Sequence, residues 1–293
     1  MLGIVHVPKC AGFSLRSVLA DWDEVHTGPI YLDHSLIGRA ELRRAARTST
    51  QQVATLRRMR KIVSRRRAVM GHFSVELLLD AGADQVIVLV REPRSRLLSL
   101  FDYWSGLGPH LDVWGARGRR VHEATSGSFS AFLASPLVVA DRQSDIARHI
   151  LPSSMRVQGS DGSWRLAPEI AEGRRMDLVD EALGRLRGKL VRAFWSDELP
   201  AVVDHVGRAI GRTPRATDLE VPVLNGLDRA TTDRQIGAAE LRLLDENTIL
   251  RRHVLDWLMR EGLLSRRTGA ELDDEFRMTA DRHGFSISQS SGA

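Results

Sequence analysis

A lysine, a glycine and a serine near the amino end of the chain have the spacing of an anion-binding turn. Lys9, Gly12 and Ser14 follow an apolar run over residues 2–7, which predicts a buried β-strand that Pro8 ends. The next residues predict a helix, whose first N–H groups point back at the turn together with the positive end of the helix dipole. The stretch therefore predicts a site for a phosphate-like group, in which Lys9 supplies a charge, Ser14 supplies a hydroxyl and Gly12 lets a ligand approach the backbone.

The same turn does not have the pattern of a nucleoside-triphosphate P-loop. That pattern places a lysine directly before the hydroxyl residue that holds Mg²⁺, whereas Lys9 stands five residues before Ser14. A kinase or nucleotidase of the P-loop type would also need a Mg²⁺-binding carboxylate after a strand, and the sequence suggests none. This class stays an alternative for which two expected features are missing.

A second stretch predicts another anion site at the end of another strand. Residues 85–90 form a continuous apolar run, which is typical of a strand buried on both faces of a parallel sheet. Arg91 follows at the carboxyl end of that strand, where ligands of open α/β sheets bind. Pro93 suits the first turn of a helix, and Ser99 lies about two turns into it. An arginine fork is well suited to a phosphate, so Arg91 and Ser99 are predicted to bind one.

The two stretches resemble the nucleotide-binding motifs of sulfotransferases that use 3′-phosphoadenosine 5′-phosphosulfate (PAPS), in particular the carbohydrate branch that includes heparan sulfate 2-O-sulfotransferase-like members. Residues 6–15 are similar to His-Ile-Pro-Lys-Thr-Gly-Gly-Thr-Ser-Leu, with Cys10, Ala11 and Phe13 in place of Thr, Gly and Thr. Residues 91–99 are similar to Arg-Glu-Pro-x-x-Arg-x-x-Ser. The resemblance implies that Arg91 and Ser99 hold the 3′-phosphate of PAPS. It also implies a 5′-phosphosulfate loop made of Pro8, Lys9, Cys10, Ala11, Gly12, Phe13, Ser14 and Leu15.

The catalytic residues that we predict are Lys9 and His72. His72 follows a short apolar segment and Gly71, and in the carbohydrate branch a strand ends similarly in Gly-His, whose histidine is the proposed base. An imidazole is matched to proton removal near neutral pH. The alternative is a structural histidine that is hydrogen-bonded at a strand end. Lys9 would stabilise the charge that develops on the leaving phosphate, and no metal ion is required by the reaction.

The basic charge is concentrated in one segment. The chain has 293 residues and a formal charge of +5, yet residues 39–67 contain eleven basic residues and one acid. The segment predicts polar helices with a solvated face, or a basic wall that attracts an anionic acceptor or the cofactor. It contains no Phe, Trp or Tyr that could stack on bases, so we do not predict a nucleic-acid partner.

Cysteine content and hydropathy limit the compartment and the architecture. Cys10 is the single cysteine, which excludes a disulfide framework and a zinc-finger site, and packing is favoured over a catalytic role. A strand that begins at residue 2 leaves no room for a signal peptide, and no apolar run has the length of a membrane helix. These features predict a cytoplasmic protein.

The predicted fold class is α/β, as a P-loop-like three-layer fold with a central parallel sheet of about five strands flanked by helices. We assign residues 1–265 to one such domain and residues 266–293 to a polar, flexible C-terminal tail. The glycine-rich residues 106–127 predict a long loop over the acceptor site. Asn225, in a Pro-x-x-Asn-like turn, is a weaker site candidate.

The expected activity is transfer of the sulfuryl group of PAPS to a hydroxyl of an acceptor, by in-line displacement with His72 as general base. The Gly-His ending suggests a saccharide or glycolipid acceptor. The substitutions at Cys10, Ala11 and Phe13 keep open a catalytically silent nucleotide-binding or basic interaction protein. The oligomeric state is not predicted.

Overall fold

The structure is a computed structural model that describes residues 1–27, 66–107, 116–135, 138, 146–158, 164–171, 173–221 and 234–288. The strands are β1 (Leu2–His6), β2 (Val25–Thr27), β3 (Ala68–Gly71), β4 (Gln85–Val90), β5 (Arg156–Gln158), β6 (Trp164–Leu166), β7 (Leu190–Trp195), β8 (Arg234–Ile236) and β9 (Phe285–Ile287). The helices are α1 (Gly12–Leu19), α2 (Val75–Asp80), α3 (Pro93–Ser105), α4 (Ala116–Thr125), α5 (Phe129–Ala134), α6 (Ile146–Ile150), α7 (Pro168–Ala171), α8 (Met176–Gly184), α9 (Leu199–Ile210), α10 (Ala216–Leu219), α11 (Ala238–Arg260) and α12 (Gly269–Arg282).

A parallel sheet of five strands forms the centre of the fold, in the order β2-β3-β1-β4-β7. The predicted α/β fold with a helix-flanked parallel sheet is confirmed. In register, Ile4 of β1 lies between Met70 of β3 and Ile87 of β4. Because these three strands are adjacent and parallel, the residues that follow them meet at one edge of the sheet. Lys9, His72 and Arg91 are thereby placed at this edge.

Helices cover the sheet closely enough to explain its apolar strands. Gly3, the second residue of β1, lies so close to α2 that a Cβ there would be 2.8 Å from Cδ1 of Leu78. Helix α9 packs against α1 and contacts β1 and β7, and it buries Val202, Val203 and Val206. A strand that is covered on both faces does not alternate between polar and apolar residues. Strand β1 is buried along its whole length, and β4 is buried from Val86 to Val90.

A second apolar core forms beside the sheet. It joins α3, α4, α5, α11 and α12 to the short parallel pair β8–β9. Its centre is aromatic: the Phe101 ring lies 4.8 Å from that of Phe132 and 5.2 Å from that of Phe129, centroid to centroid. Helix α3 therefore begins at the edge of the sheet where the predicted site lies and continues into a separate core that fixes its direction.

Two predictions about irregular segments are wrong. Residues 266–288 do not form a flexible tail, because 269–282 form helix α12, Phe276 and Phe285 are buried, and Thr268 caps the helix with Glu271. Residues 116–125 are helix α4 rather than part of a loop, since Val121 and Ala124 are buried at helical spacing.

Some predictions fall outside the described residues: most of the basic segment 39–67, residues 108–115, and Asn225. Among the residues that the structure describes, no helix is both long enough and apolar enough to cross a membrane.

Candidate anion-binding and catalytic site

The loop between β1 and α1 has an unusual backbone. Lys9 (φ 69°) and Ala11 (φ 55°) both lie in the left-handed region although neither is glycine. The Cys10 N–H donates to the Val7 carbonyl, and the Leu15 N–H donates to the Ala11 carbonyl at 3.1 Å, which closes the first turn of α1. Ala11 is the N-cap and has no side-chain oxygen, so the first N–H groups of α1 receive no side-chain cap. This geometry presents them, with the helix dipole, as donors for an anion.

Two arginines of the second motif hold the backbone of this loop. Arg96 Nε donates to the Pro8 carbonyl at 3.0 Å, and Arg91 Nη1 approaches the Lys9 carbonyl at 3.4 Å. Arg96 is 3% exposed, so its guanidinium lies in the interior of the protein. The two predicted motifs, more than eighty residues apart in the chain, are therefore in direct contact. Sequence reasoning did not assign a role to Arg96, although it is the second arginine of the Arg-Glu-Pro-x-x-Arg pattern.

Arg91 lies in a charged and mostly buried environment. Its Nη2 donates to Thr279 Oγ1 at 3.1 Å, and its Nε is 3.8 Å from a carboxylate oxygen of Glu275; both partners belong to α12. Burial lowers the pKa of Arg91 below its ordinary value, and nearby negative charge, including Glu275, opposes this shift. Burial likewise raises the pKa of Glu275 above its ordinary value, against the lowering effect of Arg91. The sequence predicts neither residue of α12, because its polar composition indicates a tail.

Ser99, the second predicted 3′-phosphate ligand, is buried on α3. Within the described part of the chain no hydrogen bond joins Ser99 to Arg91, and Thr279 is the hydroxyl that contacts the guanidinium. The amino end of α3 also differs from that of α1. The carboxylate of Glu92 accepts the Ser95 N–H at 2.6 Å and so caps the helix. An anion at Arg91 would thus depend on side chains, whereas one at Lys9 would also meet backbone N–H groups.

The ammonium of Lys9 packs on an aromatic ring. Lys9 Nζ lies 4.2 Å from the ring centroid of Tyr103, three turns along α3. This cation–π contact brings the charge toward α3 while the backbone of Lys9 stays bound to Arg91. Tyr103 of α3 thus positions the side chain of Lys9, and Arg91 positions its backbone.

Three histidine rings lie side by side next to the loop, and two of them stack. The rings of His6 and His72 lie 4.4 Å apart at 27°, and His149 of α6 lies 6.3 Å from His72. His72 Nδ1 is 2.7 Å from the His6 carbonyl. Because a carbonyl only accepts hydrogen bonds, Nδ1 carries the proton, and the lone pair of the neutral ring is on Nε2. This is the tautomer that a base acting through Nε2 requires. The same argument applies to His149, whose Nδ1 donates to the Phe73 carbonyl at 2.9 Å.

Gly12 has a packing role that the sequence does not predict. A Cβ at this position would overlap the imidazole of His6. The packing of a buried histidine of β1 against the first turn of α1 therefore requires a glycine here, while the approach of a ligand to Gly12 stays a prediction. His6 itself is 3% exposed.

The other residues of the loop divide into buried and exposed positions. Cys10 is 1% exposed and its Sγ contacts the Pro8 carbonyl at 3.9 Å. Ser14 and Leu15 are buried, whereas Phe13, the second residue of α1, is 51% exposed. A large apolar side chain thus stands at the surface of the loop where the resembling motif has a threonine.

Comparison with known proteins returned no match: no family model, no curated protein and no solved structure is similar to this chain at a significant level.

We expect Ala11→Gly to be stabilising relative to Ala20→Gly. Ala11 is left-handed, whereas Ala20 at the other end of α1 has φ −64° and ψ −26°. A left-handed conformation costs a residue that has a Cβ about 1–2 kcal/mol, and glycine avoids most of this cost. Both substitutions give the unfolded chain the same extra freedom. The two free energies of unfolding, measured in urea, should therefore differ by about 1–2 kcal/mol, and equal values would show that Ala11 is not strained.

Proposed function

We propose that this protein is a PAPS-dependent sulfotransferase that transfers a sulfuryl group to a hydroxyl of an acceptor. The observation that carries the proposal is the direct contact between its two anion-binding motifs. Arg91 and Arg96 donate to consecutive carbonyls of the loop that bears Lys9, so the two predicted phosphate sites share one framework. Such an arrangement suits a ligand that has a phosphate at each of two positions, as PAPS has.

Each step of the proposed reaction has a candidate residue. The first N–H groups of α1 and the ammonium of Lys9 would bind the 5′-phosphosulfate, and Arg91 would bind the 3′-phosphate. The acceptor oxygen forms a bond to sulfur as the bond from sulfur to the 5′-phosphate oxygen breaks. The charge that appears on the leaving phosphate is stabilised by Lys9. The proton of the acceptor hydroxyl passes to Nε2 of His72, whose tautomer is set by the His6 carbonyl.

The acceptor class that we propose is a saccharide or glycolipid hydroxyl. This part rests on the Gly71–His72 ending of β3 and on its similarity to the carbohydrate branch. We propose a cytoplasmic location and no nucleic-acid partner, on the sequence features given above.

The first test is binding of nucleotides to the purified protein. Adenosine 3′,5′-bisphosphate, the product of PAPS, should raise the melting temperature more than adenosine 5′-phosphate does at equal concentration. A ligand at 100 times its Kd stabilises the folded state by about 2.7 kcal/mol, which such a measurement detects. ATP with Mg²⁺ should have a smaller effect, and a larger effect of ATP would favour a P-loop-type kinase instead.

The second test is transfer. Incubation with radiolabelled PAPS and an extract of the host cell should label an acceptor, which is then identified. Tight binding of the bisphosphate without transfer to any acceptor would favour a silent nucleotide-binding protein. The absence of binding to any adenine nucleotide would overturn the proposal itself.

A further inference from the structure

Helix α12 places a carboxylate next to the arginine that is proposed to bind the 3′-phosphate. Arg91 has three described guanidinium contacts: the Lys9 carbonyl, the Thr279 hydroxyl and the Glu275 carboxylate. The side chains of Arg91 and Glu275 are each 14% exposed, so water screens their interaction poorly. A phosphate that binds Arg91 therefore encounters a negative charge already present at the guanidinium.

Glu275 has a second and closer cationic partner. Arg267 Nη1 donates to its other carboxylate oxygen at 2.8 Å, compared with 3.8 Å between Arg91 Nε and Glu275. Arg267 is in turn held by Asp197 at 2.6 Å. A protein is strongly destabilised when a buried carboxylate loses its only cationic partner. Glu275 would still be paired with Arg267 if its contact with Arg91 were broken. The ion pair with Arg91 can thus be exchanged for a ligand without leaving Glu275 unpaired.

We propose that Glu275 is a specificity determinant of the nucleotide site: it is an internal counter-ion of Arg91 that a dianionic phosphate displaces and that weaker anions do not. This inference rests on the proposed function, because it assumes that a nucleotide 3′-phosphate binds at Arg91. Only a 3′ group with two negative charges competes successfully with Glu275 for Arg91. This charge threshold makes the site discriminate among nucleotides by the group on their 3′ position. The loop at Lys9 binds the 5′ end and is independent of this threshold.

The test compares two charge-neutralising variants of the same helix. Glu275→Gln removes the charge beside Arg91. Asp273→Asn removes an equal charge two residues earlier, where Asp273 pairs with Arg94 at 2.6 Å and has no described contact with Arg91. We expect Glu275→Gln to tighten binding of adenosine 3′,5′-bisphosphate about tenfold by calorimetry, in line with loss of one close like-charge interaction. Its affinity for adenosine 5′-phosphate, which has no 3′-phosphate, should stay unchanged, and Asp273→Asn should match the wild type for both ligands.

The results separate this inference from the proposed function. If wild type binds neither nucleotide, the proposed function fails. If wild type prefers the bisphosphate but Glu275→Gln binds it no more tightly, or Asp273→Asn tightens it equally, only the counter-ion role fails.

A measurement on the wild-type protein keeps the test independent of how the variant folds. An analogue of the bisphosphate with a 3′-sulfate keeps the shape of the 3′ group but has one negative charge instead of two. It should bind wild type within about threefold of adenosine 5′-phosphate, because a single charge does not displace the carboxylate. A 3′-sulfate that binds as tightly as the 3′-phosphate would overturn the threshold.

Discussion

Replacing His72 by asparagine should reduce the turnover number of sulfuryl transfer by about 10²–10⁴-fold, the usual contribution of a general base. Asparagine can keep the hydrogen bond that His72 Nδ1 makes to the His6 carbonyl at 2.7 Å, because its amide N–H₂ is also a donor. It offers no basic nitrogen at the position of Nε2. Affinity for adenosine 3′,5′-bisphosphate should therefore stay within about twofold of wild type, since the base acts on the acceptor.

His149→Asn is the matched control for this variant. His149 lies next to the His6–His72 stack, with its ring 6.3 Å from that of His72, and its Nδ1 makes an equivalent bond to the Phe73 carbonyl at 2.9 Å. It is 5% exposed and belongs to helix α6, not to the carboxyl end of a described sheet strand. We expect its turnover to fall by less than about tenfold, far below the loss of a general base. Similar losses in the two variants would mean that the stack is structural and would remove His72 from the mechanism.

The sheet and the two loops could be predicted because their signals are local. Buried parallel strands are apolar without alternation, as in residues 85–90, and the residue types that bind anions follow such strands directly. The strand order then places the three ends together. The strand and loop predictions require no knowledge of contacts between distant side chains, whereas the strand order is not predicted by the sequence and comes from the structure.

The partners of Arg91 could not be predicted in this way. Glu275 and Thr279 reach it from a helix that lies far along the chain and whose surface is mainly polar. A local signal for the helix did exist: Thr268 and Glu271 have the spacing of a capping box, and Phe276 and Ala280 have the spacing of one buried face. That signal predicts the helix but not its packing against α3.

Gly12 shows that the sequence alone does not reveal every reason for a glycine. A glycine at the start of a helix after a strand is equally required by a ligand or by a neighbouring side chain, and the sequence does not distinguish them. In this protein the neighbouring side chain is that of His6, the last residue of β1. At Ala11 the sequence gives no signal at all, because alanine does not indicate a left-handed backbone; only the structure shows it.

Lys9→Met should reduce kcat/KM for PAPS by about 10²–10³-fold, which is the cost of removing one donor from a site of developing negative charge. Methionine retains an apolar stem of similar length that can pack on Tyr103, so the change isolates the ammonium 4.2 Å from that ring. The left-handed backbone at position 9, with φ 69°, costs methionine as much conformational energy as lysine, because both have a Cβ. Arg91 can still contact the carbonyl of this residue. The folded structure should therefore keep its melting temperature within a few degrees.

Lys189→Met is the control for a general effect of charge. Lys189 is exposed and directly precedes β7, so it lies at the amino edge of the sheet, opposite to the edge that bears Lys9. Its removal changes the net charge of the protein by the same amount but should leave kcat/KM within about twofold, since exposed charges beyond a Debye length are screened. Comparable losses in the two variants would show that the overall field, and not the ammonium at the loop, governs the reaction. A loss confined to Lys9→Met, with binding of adenosine 5′-phosphate weakened in parallel, would place the 5′ end of the nucleotide at the amino end of α1, because adenosine 5′-phosphate lacks the 3′ group that Arg91 is proposed to bind.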